Sequence, residues 1–330
     1  DKYRNGCETL ENFIPQIQGP ARKRPGTRFV AEVKDSADAT RLIPFEYSTT
    51  QAYVLEFGDL YIRFYLDGGV VESSPGVPYE IVSPYTSAQL AALEYAQSAD
   101  VIYITHPAHP PYKLARTSAL SWTITAVTFA WPPFNDENVG TTTLTASAVT
   151  GNITLTASAS LFVSADVGSY FKISEVSASK YNQWTTGVSI TSGDIVYYLG
   201  NIYQSGTTAA AGSRPPIHTS GTESDGAVSW TFLHDGAGYA QVTGYTSATV
   251  VNATVIKRLP ATALTGSTRW SEGAWSARRG YPHAVTFYED RLWFAGSASK
   301  PQTLWASVSG DYENHKYGTN DDDALNYTIN

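Results

Sequence analysis

A chain of 330 residues is too long for one small core and sets an expectation of two or three domains of about 100 to 200 residues each. Its formal net charge of −8 excludes a molecule that coats itself with nucleic acid, whose phosphates demand clustered Lys and Arg. The single cysteine, Cys7, excludes an internal disulfide framework, and no stretch approaches the ~18 consecutive apolar residues of a bilayer span.

The 22 Tyr and 8 Trp, together with abundant Thr, Val, Ser and Gly, favour strands and turns, because branched and aromatic side chains fit a pleated surface. The expected class is therefore all-β. The chain starts at Asp1 and contains no Met, which reads as an excerpt or a processed fragment of a longer protein.

Near the start, "ARKRPGTR" runs against the acidic average with Arg22, Lys23, Arg24 and Arg28. One reading is a solvated loop kept extended by Pro20 and Pro25; the other is a docking arm for an acidic partner. Assembly is favoured over DNA reading, since base recognition needs a positioned element.

Three segments share a local design. "YVLEFGDLYIRFYLDGG" (53–69), "IVYYLGNIYQSG" (195–206) and "VTFYEDRLWFAGS" (285–297) each set two apolar runs around Gly-Asp, Gly-Asn or Glu-Asp, the pattern of a hairpin. In the first, Leu60, Ile62, Phe64 and Leu66 fall on one face by period two. One short helix is expected near 87–98, in "YTSAQLAALEYAQSAD", with Thr86 and Gln89 as a capping box. A strand over 101–105 then runs into an extended segment fixed by Pro107, Pro110 and Pro111.

From residue 141 the composition turns to Thr, Ser, Ala and Val, the style of short strands in a sandwich or barrel. This style is interrupted over 181–235 by an aromatic block and resumes at "YAQVTGYTSATVVNATVIKRLP". The expected organisation is a β domain with one helix over 1–138, a sandwich or barrel over 139–260 that carries an inserted module over 181–235, and a sheet unit over 261–330. Insertions of this kind succeed at loop tips.

Candidate chemistry is sparse. His106 and His109 would need a third ligand to hold zinc, and Asp321, Asp322 and Asp323 lack the spaced oxygens and glycine of a calcium loop. No nucleophile elbow, phosphate-binding loop or zinc helix is present. The chain is expected to be no enzyme and to hold no cofactor or metal. In the aromatic block, Trp184, Tyr197, Tyr198, Tyr203 and Trp230 read either as the core of a small module or as a platform for glycan rings. The layout of Trp184, "GDIVYYLGNIYQS" and "VSWTFL" resembles the small chitin-binding type of carbohydrate module.

Four further segments, "DKYRNGCETLENFIPQIQGPARKRPGTRFV", "RLIPFEYSTTQAYVLEFGDLYIRFY", "THPAHPPYKLAR" and "GYPHAVTFYEDRLWFAGSASKPQTLWASVSGDYENH", in this order, resemble the tail nozzle proteins of short-tailed bacteriophages. These are also called tail tubular protein B or packaged-DNA stabilisation proteins. The likeness covers about 1–135 and 263–330. It implies a structural virion component: a ring of six copies below the tail adaptor at the portal, closing around packaged DNA without sequence-specific contacts, with a β-propeller core. Residues 261–330 would then be the first, incomplete blade of a propeller that a longer parent chain completes. The alternative is a tail protein that contacts host-surface glycan through 181–235. The strands of 285–308 carry more apolar surface than three strands cover alone, so they are expected to pack on the 1–135 region or on another subunit.

Overall fold

The computed structural model describes residues 7–17, 19–48, 51–175 and 180–329. The first six residues, which open the first nozzle-like segment, lie outside them. The protein is nearly all β, as the composition predicts. It divides into two compact units, Asp1–Ala88 and Gln89–Asn330.

The first unit holds a small hairpin of Phe13–Pro15 and Ala21–Lys23 and a five-stranded antiparallel sheet. In that sheet Arg41–Glu46, Ala52–Gly58 and Tyr61–Leu66 pair in sequence, and Glu80–Val82 adds to Tyr61–Leu66. Ile43, Phe45, Leu55, Phe57, Ile62 and Phe64 are fully buried, while Leu42 and Val54 face out, the alternation that a one-sided sheet demands. The turn falls on Asp59 and Leu60, one residue later than the Gly-Asp pair predicts, because Gly58 still pairs with Tyr61. Leu60 therefore leaves the inner face and takes a positive φ of 61°.

The second unit opens with a four-stranded antiparallel meander, Glu94–Ser98, Val101–His106, His109–Ser118 and Ser121–Ala126. Here the expected helix over 87–98 is corrected. A 3-10 helix covers only Ser87–Ala92, and Glu94–Ser98 is a strand paired with Val101–His106. Helical propensity at Leu93–Ala96 loses to tertiary burial: Leu93 is fully buried, and Ala96 packs on the core of the unit. Gln89, the expected capping partner, instead places its amide oxygen 3.1 Å from His109 Nε2. The proline-rich stretch bends at Pro107 and Ala108, so that His109–Ser118 returns as a strand.

A six-stranded sheet follows, in the order Leu144–Ala146, Asn152–Ala157, Val250–Lys257, Ala237–Ser247, Tyr170–Ser174, Trp270–Glu272. Leu155, Phe171, Ile173, Ala240 and Val251 fill its core. The chain leaves this sheet after Ser174 and re-enters at Ala237, and these two residues pair across adjacent antiparallel strands. The strands between them, from Asn182–Gln183 to Ser229–His234, form one five-stranded and one two-stranded sheet with no outside partner among the described residues. Their own core is Trp184, Ile190, Val196, Tyr203, Ala211, Val228 and Trp230.

The last sheet is a second four-stranded antiparallel meander, Ala284–Tyr288, Arg291–Ala295, Thr303–Ala306 and Leu325–Thr328. Its first turn places Glu289 and Asp290 at φ 49° and 54°, the two positive values of a type I′ hairpin. The fourth strand, absent from the sequence reading, covers the edge of Thr303–Ala306. The apolar face of this sheet is met within the chain: Val285, Leu292, Phe294 and Trp305 share a core with Tyr103, Val127, Phe129 and Trp275. This shared core also explains why the compact units divide near residue 88 rather than at the compositional change near 138.

Candidate functional site

The aromatic module shows how its sequence is used. Trp184, Tyr203 and Trp230 are buried, at 8%, 0% and 1% exposure. The Trp184 ring meets Tyr198 edge-on at 5.6 Å, and Tyr203 meets Phe232 at 5.9 Å. Tyr198 leans on the same core and Tyr197 is half-buried. The five residues therefore do not form one exposed platform, because a module of this size consumes its large rings to exclude water from its own centre.

What organises the module is Asp225, a residue with no motif around it in the sequence. Its carboxylate accepts from the backbone N–H groups of Gly212 (2.8 Å), Ala227 (3.0 Å) and Val228 (2.7 Å) and from Trp230 Nε1 (2.8 Å). Burial alone would raise its pKa, but these bonds outweigh burial and hold the carboxyl below the usual range. Four donors from three places along the chain are tied to one buried charge.

Beside this hub lies a cavity of about 300 Å³ whose lining includes Pro215, Ile217, His218, Glu223, Ser224 and Trp230. The His218 side chain is 6% exposed, and neither ring nitrogen has a hydrogen-bond partner. Its Nδ1 lies 3.8 Å from Glu223 Oε2, beyond hydrogen-bond reach. A lone histidine after a Pro-Pro pair gives no sequence signal of this kind.

The basic residues sit in a different setting. Every described residue of 7–30 is exposed, including Phe13, Ile14, Phe29 and Ile17, the last at 101%. Arg24 is spent within the hairpin, donating from Nε to Asn12 Oδ1 at 2.7 Å. Among the described residues no carboxylate lies within ion-pair distance of Arg22, Lys23 or Arg28.

Other titratable groups are committed to structure. His106 and His109 sit 5.3 Å apart, ring centroid to ring centroid; His106 Nδ1 accepts from the Ala108 N–H at 3.1 Å, and burial lowers the pKa of both. Among the described residues no three His, Cys, Asp or Glu side chains group as metal ligands. The Asp321–Asp323 turn uses its main chain: Arg291 donates to the carbonyl oxygens of Asp321, Asp323 and Ser307 at 2.6 to 2.7 Å.

Two buried carboxylate networks complete the inventory. Glu56, fully buried, accepts from Tyr61 OH at 2.5 Å and from Tyr65 OH; desolvation first, and then this carboxylate, raises both phenol pKa values. Glu272 accepts from Arg278 Nη2 at 2.5 Å and Arg279 Nη2 at 2.6 Å. Arg278 Nε also stands 2.9 Å from the fully buried Asp166, but off the line of a hydrogen bond. Arg278 thereby ties the loop before Tyr170 to the turn after the Trp270–Glu272 strand. Both networks join neighbouring elements of one sheet and read as structural.

Comparison with known protein families finds no matching family, and comparison with curated proteins finds no match.

Proposed function

We propose that the protein is a structural subunit of a short-tailed bacteriophage tail, residing in the virion. It acts as a member of a nozzle-type ring that surrounds the path of packaged DNA below the adaptor. The ordered sequence resemblance supports the tail assignment. One structural observation supports assembly: residues 7–30 expose Phe13, Ile14, Ile17 and Phe29 together with three cations that have no carboxylate beside them among the described residues. An arm that mixes bare apolar side chains and charge in this way is what a partner surface covers, and other copies of the chain or the adaptor are the partners. Its role is contact rather than catalysis, and DNA passes without base-specific recognition. The net charge of −8 agrees with a wall that repels phosphate.

The test is sedimentation velocity and electron microscopy of the full chain, alone and with the adaptor. Wild-type protein should form rings, and replacing Arg22, Lys23, Arg24 and Arg28 by Gln should shift it to monomer without changing its melting. A wild-type chain that stays monomeric under both conditions overturns the reading. So does a quadruple variant that assembles normally but loses affinity for duplex DNA.

The alternative, a host-glycan contact through 181–235, loses its proposed aromatic platform, since Trp184, Tyr203 and Trp230 are core.

A further inference from the structure

We propose that the cavity at the root of the inserted module, beside His234, is a binding site for a phosphate-type oxyanion. This proposal does not rest on the tail reading. The cavity measures about 250 Å³ and takes its wall from three places: His234 and Asp235 at the end of the module, Lys257 and Arg258 at and just past the end of the strand Val250–Lys257, and Trp131 with Lys316 from the segments beside them. In a chain of net charge −8, Lys257, Arg258 and Lys316 face a single lining carboxylate, Asp235. The local balance is the reverse of the whole.

That carboxylate is already spent. Asp235 pairs with Lys316 Nζ, which also stands 5.3 Å from the centre of the Trp131 ring. Among the described residues no carboxylate lies within ion-pair distance of Lys257 or Arg258. The buried member of the wall is His234, 4% exposed. Its Nδ1 accepts from the Gly236 N–H at 3.2 Å, so the ring proton of the neutral form sits on Nε2. Burial, and after it the Arg258 charge, lower the pKa against the carboxylates of Glu175 and Asp235, which keeps that form at neutral pH. Nε2 has no hydrogen-bond partner among the described residues, yet it is not sealed from solvent as both His218 nitrogens are. It is an N–H donor on a cavity wall with nothing to donate to.

The charges choose the sign of the ligand and the donors choose its shape. Lys257, Arg258 and Lys316 oppose a cation. An oxyanion takes charge-assisted bonds from the Arg258 guanidinium and the Lys257 ammonium and a further N–H from His234. Donors that come from the module and from the sheet suit four tetrahedral oxygens better than the two coplanar oxygens of a carboxylate. The volume holds an oxyanion together with a few waters, each about 30 Å³ in the liquid. Glu175, whose charge also reaches His234, does not line the cavity, and its carboxylate accepts from Tyr181 OH at 3.0 Å. Because module and sheet share the wall, an anion held there clamps one to the other, and its binding should raise the melting temperature of the chain.

The test titrates the full chain with sodium phosphate at a constant ionic strength of about 0.15 M set with sodium chloride. Histidine ring nitrogens are followed by NMR, with the His234 signals assigned from the His234→Gln variant. Phosphate should shift the His234 nitrogens saturably and raise the melting temperature, while chloride alone does neither. The melting shift is read on wild-type protein and needs no variant. Lys257→Gln and Arg258→Gln, at exposed residues, should each weaken binding about tenfold, the loss of one charge-assisted contact. Arg214→Gln, which removes the same charge beside a different cavity, should bind as wild type. Glycerol 3-phosphate and a duplex oligonucleotide distinguish the sources of the oxyanion: a response to inorganic phosphate or to the monoester supports the site, and a response to the duplex alone overturns it. The proposal is overturned equally if phosphate leaves the His234 signals and the melting temperature unmoved, if acetate binds more tightly than phosphate, or if both charge variants bind as wild type.

Discussion

His315 is the residue at which a single side chain dictates solution behaviour. It is fully buried among Phe129, Trp275 and Phe294, with neither ring nitrogen hydrogen-bonded, and burial pushes its pKa down from 6.5 to about 3. A histidine depressed in the folded state takes up its proton on unfolding first, so its effect on stability is absent above pH 6.5 and grows as pH falls from there towards 3. The expected loss is at most about 1.4 kcal/mol for each pH unit below 6.5. Melting followed by circular dichroism between pH 7.5 and 4.5 should show this slope, and His315→Phe should make it shallower, leaving what His106, His109 and His234, also lowered by burial, contribute. A wild-type melting temperature independent of pH over that window would refute the assignment.

At the scale of elements, hairpin chemistry and tertiary pairing divide the work. The "EDR" turn is read directly from sequence because Glu289 and Asp290 are the two-residue loop itself. The "LGN" turn is displaced by one residue, to Leu199 and Gly200 at φ 47° and 85°; Gly200 eases the second positive φ, while Leu199 tolerates the first because it is exposed and the register of Tyr198 with Asn201 fixes the loop. The inserted sheets hang from paired residues Ser174 and Ala237, and Glu175 N–H donates to the Gly236 carbonyl at 2.7 Å. Replacing 181–235 by a short turn should therefore leave the six-stranded sheet intact, with its cooperative melt retained and lowered by no more than a few degrees. Loss of that transition, by calorimetry, would show that the module supports the sheet rather than riding on it.

For the whole molecule, the question is where unpaired sheet edges and bare apolar surface go. Strand Glu94–Ser98 of one meander lies beside Ala284–Tyr288 of the other, and their aromatic core closes between them. Among the described residues Leu325–Thr328 pairs on one side only, with Tyr327 and Ile329 exposed, the kind of surface on which another strand can pair. If the basic arm docks on an acidic neighbour, assembly should weaken with salt, because exposed charges are screened within about 8 Å at 0.15 M and about 3 Å at 1 M. Rings formed at 50 mM salt should dissociate by 1 M in sedimentation velocity. Rings that tighten with salt would assign the contact to the apolar residues of the arm and the Tyr327 edge instead.

The sequence by itself determined what depends on local chemistry. Tyr, Trp, Val and Thr made the chain β, period-two runs marked Ile62 and Phe64 as inward-facing, and turn residues located three hairpins to within one position. The tertiary structure decided what depends on neighbours. It turned half of an amphipathic helix pattern into the strand Glu94–Ser98, because pairing with Val101–His106 outweighs a weak intrinsic preference. It drew Trp184, Tyr203 and Trp230 inward, since exposure of a ring is set by the residues packed across from it and not by the ring. The same is true of the hub of the module: Asp225 is unremarkable in sequence, and only the fold brings the N–H groups of Gly212, Ala227, Val228 and Trp230 to its carboxylate.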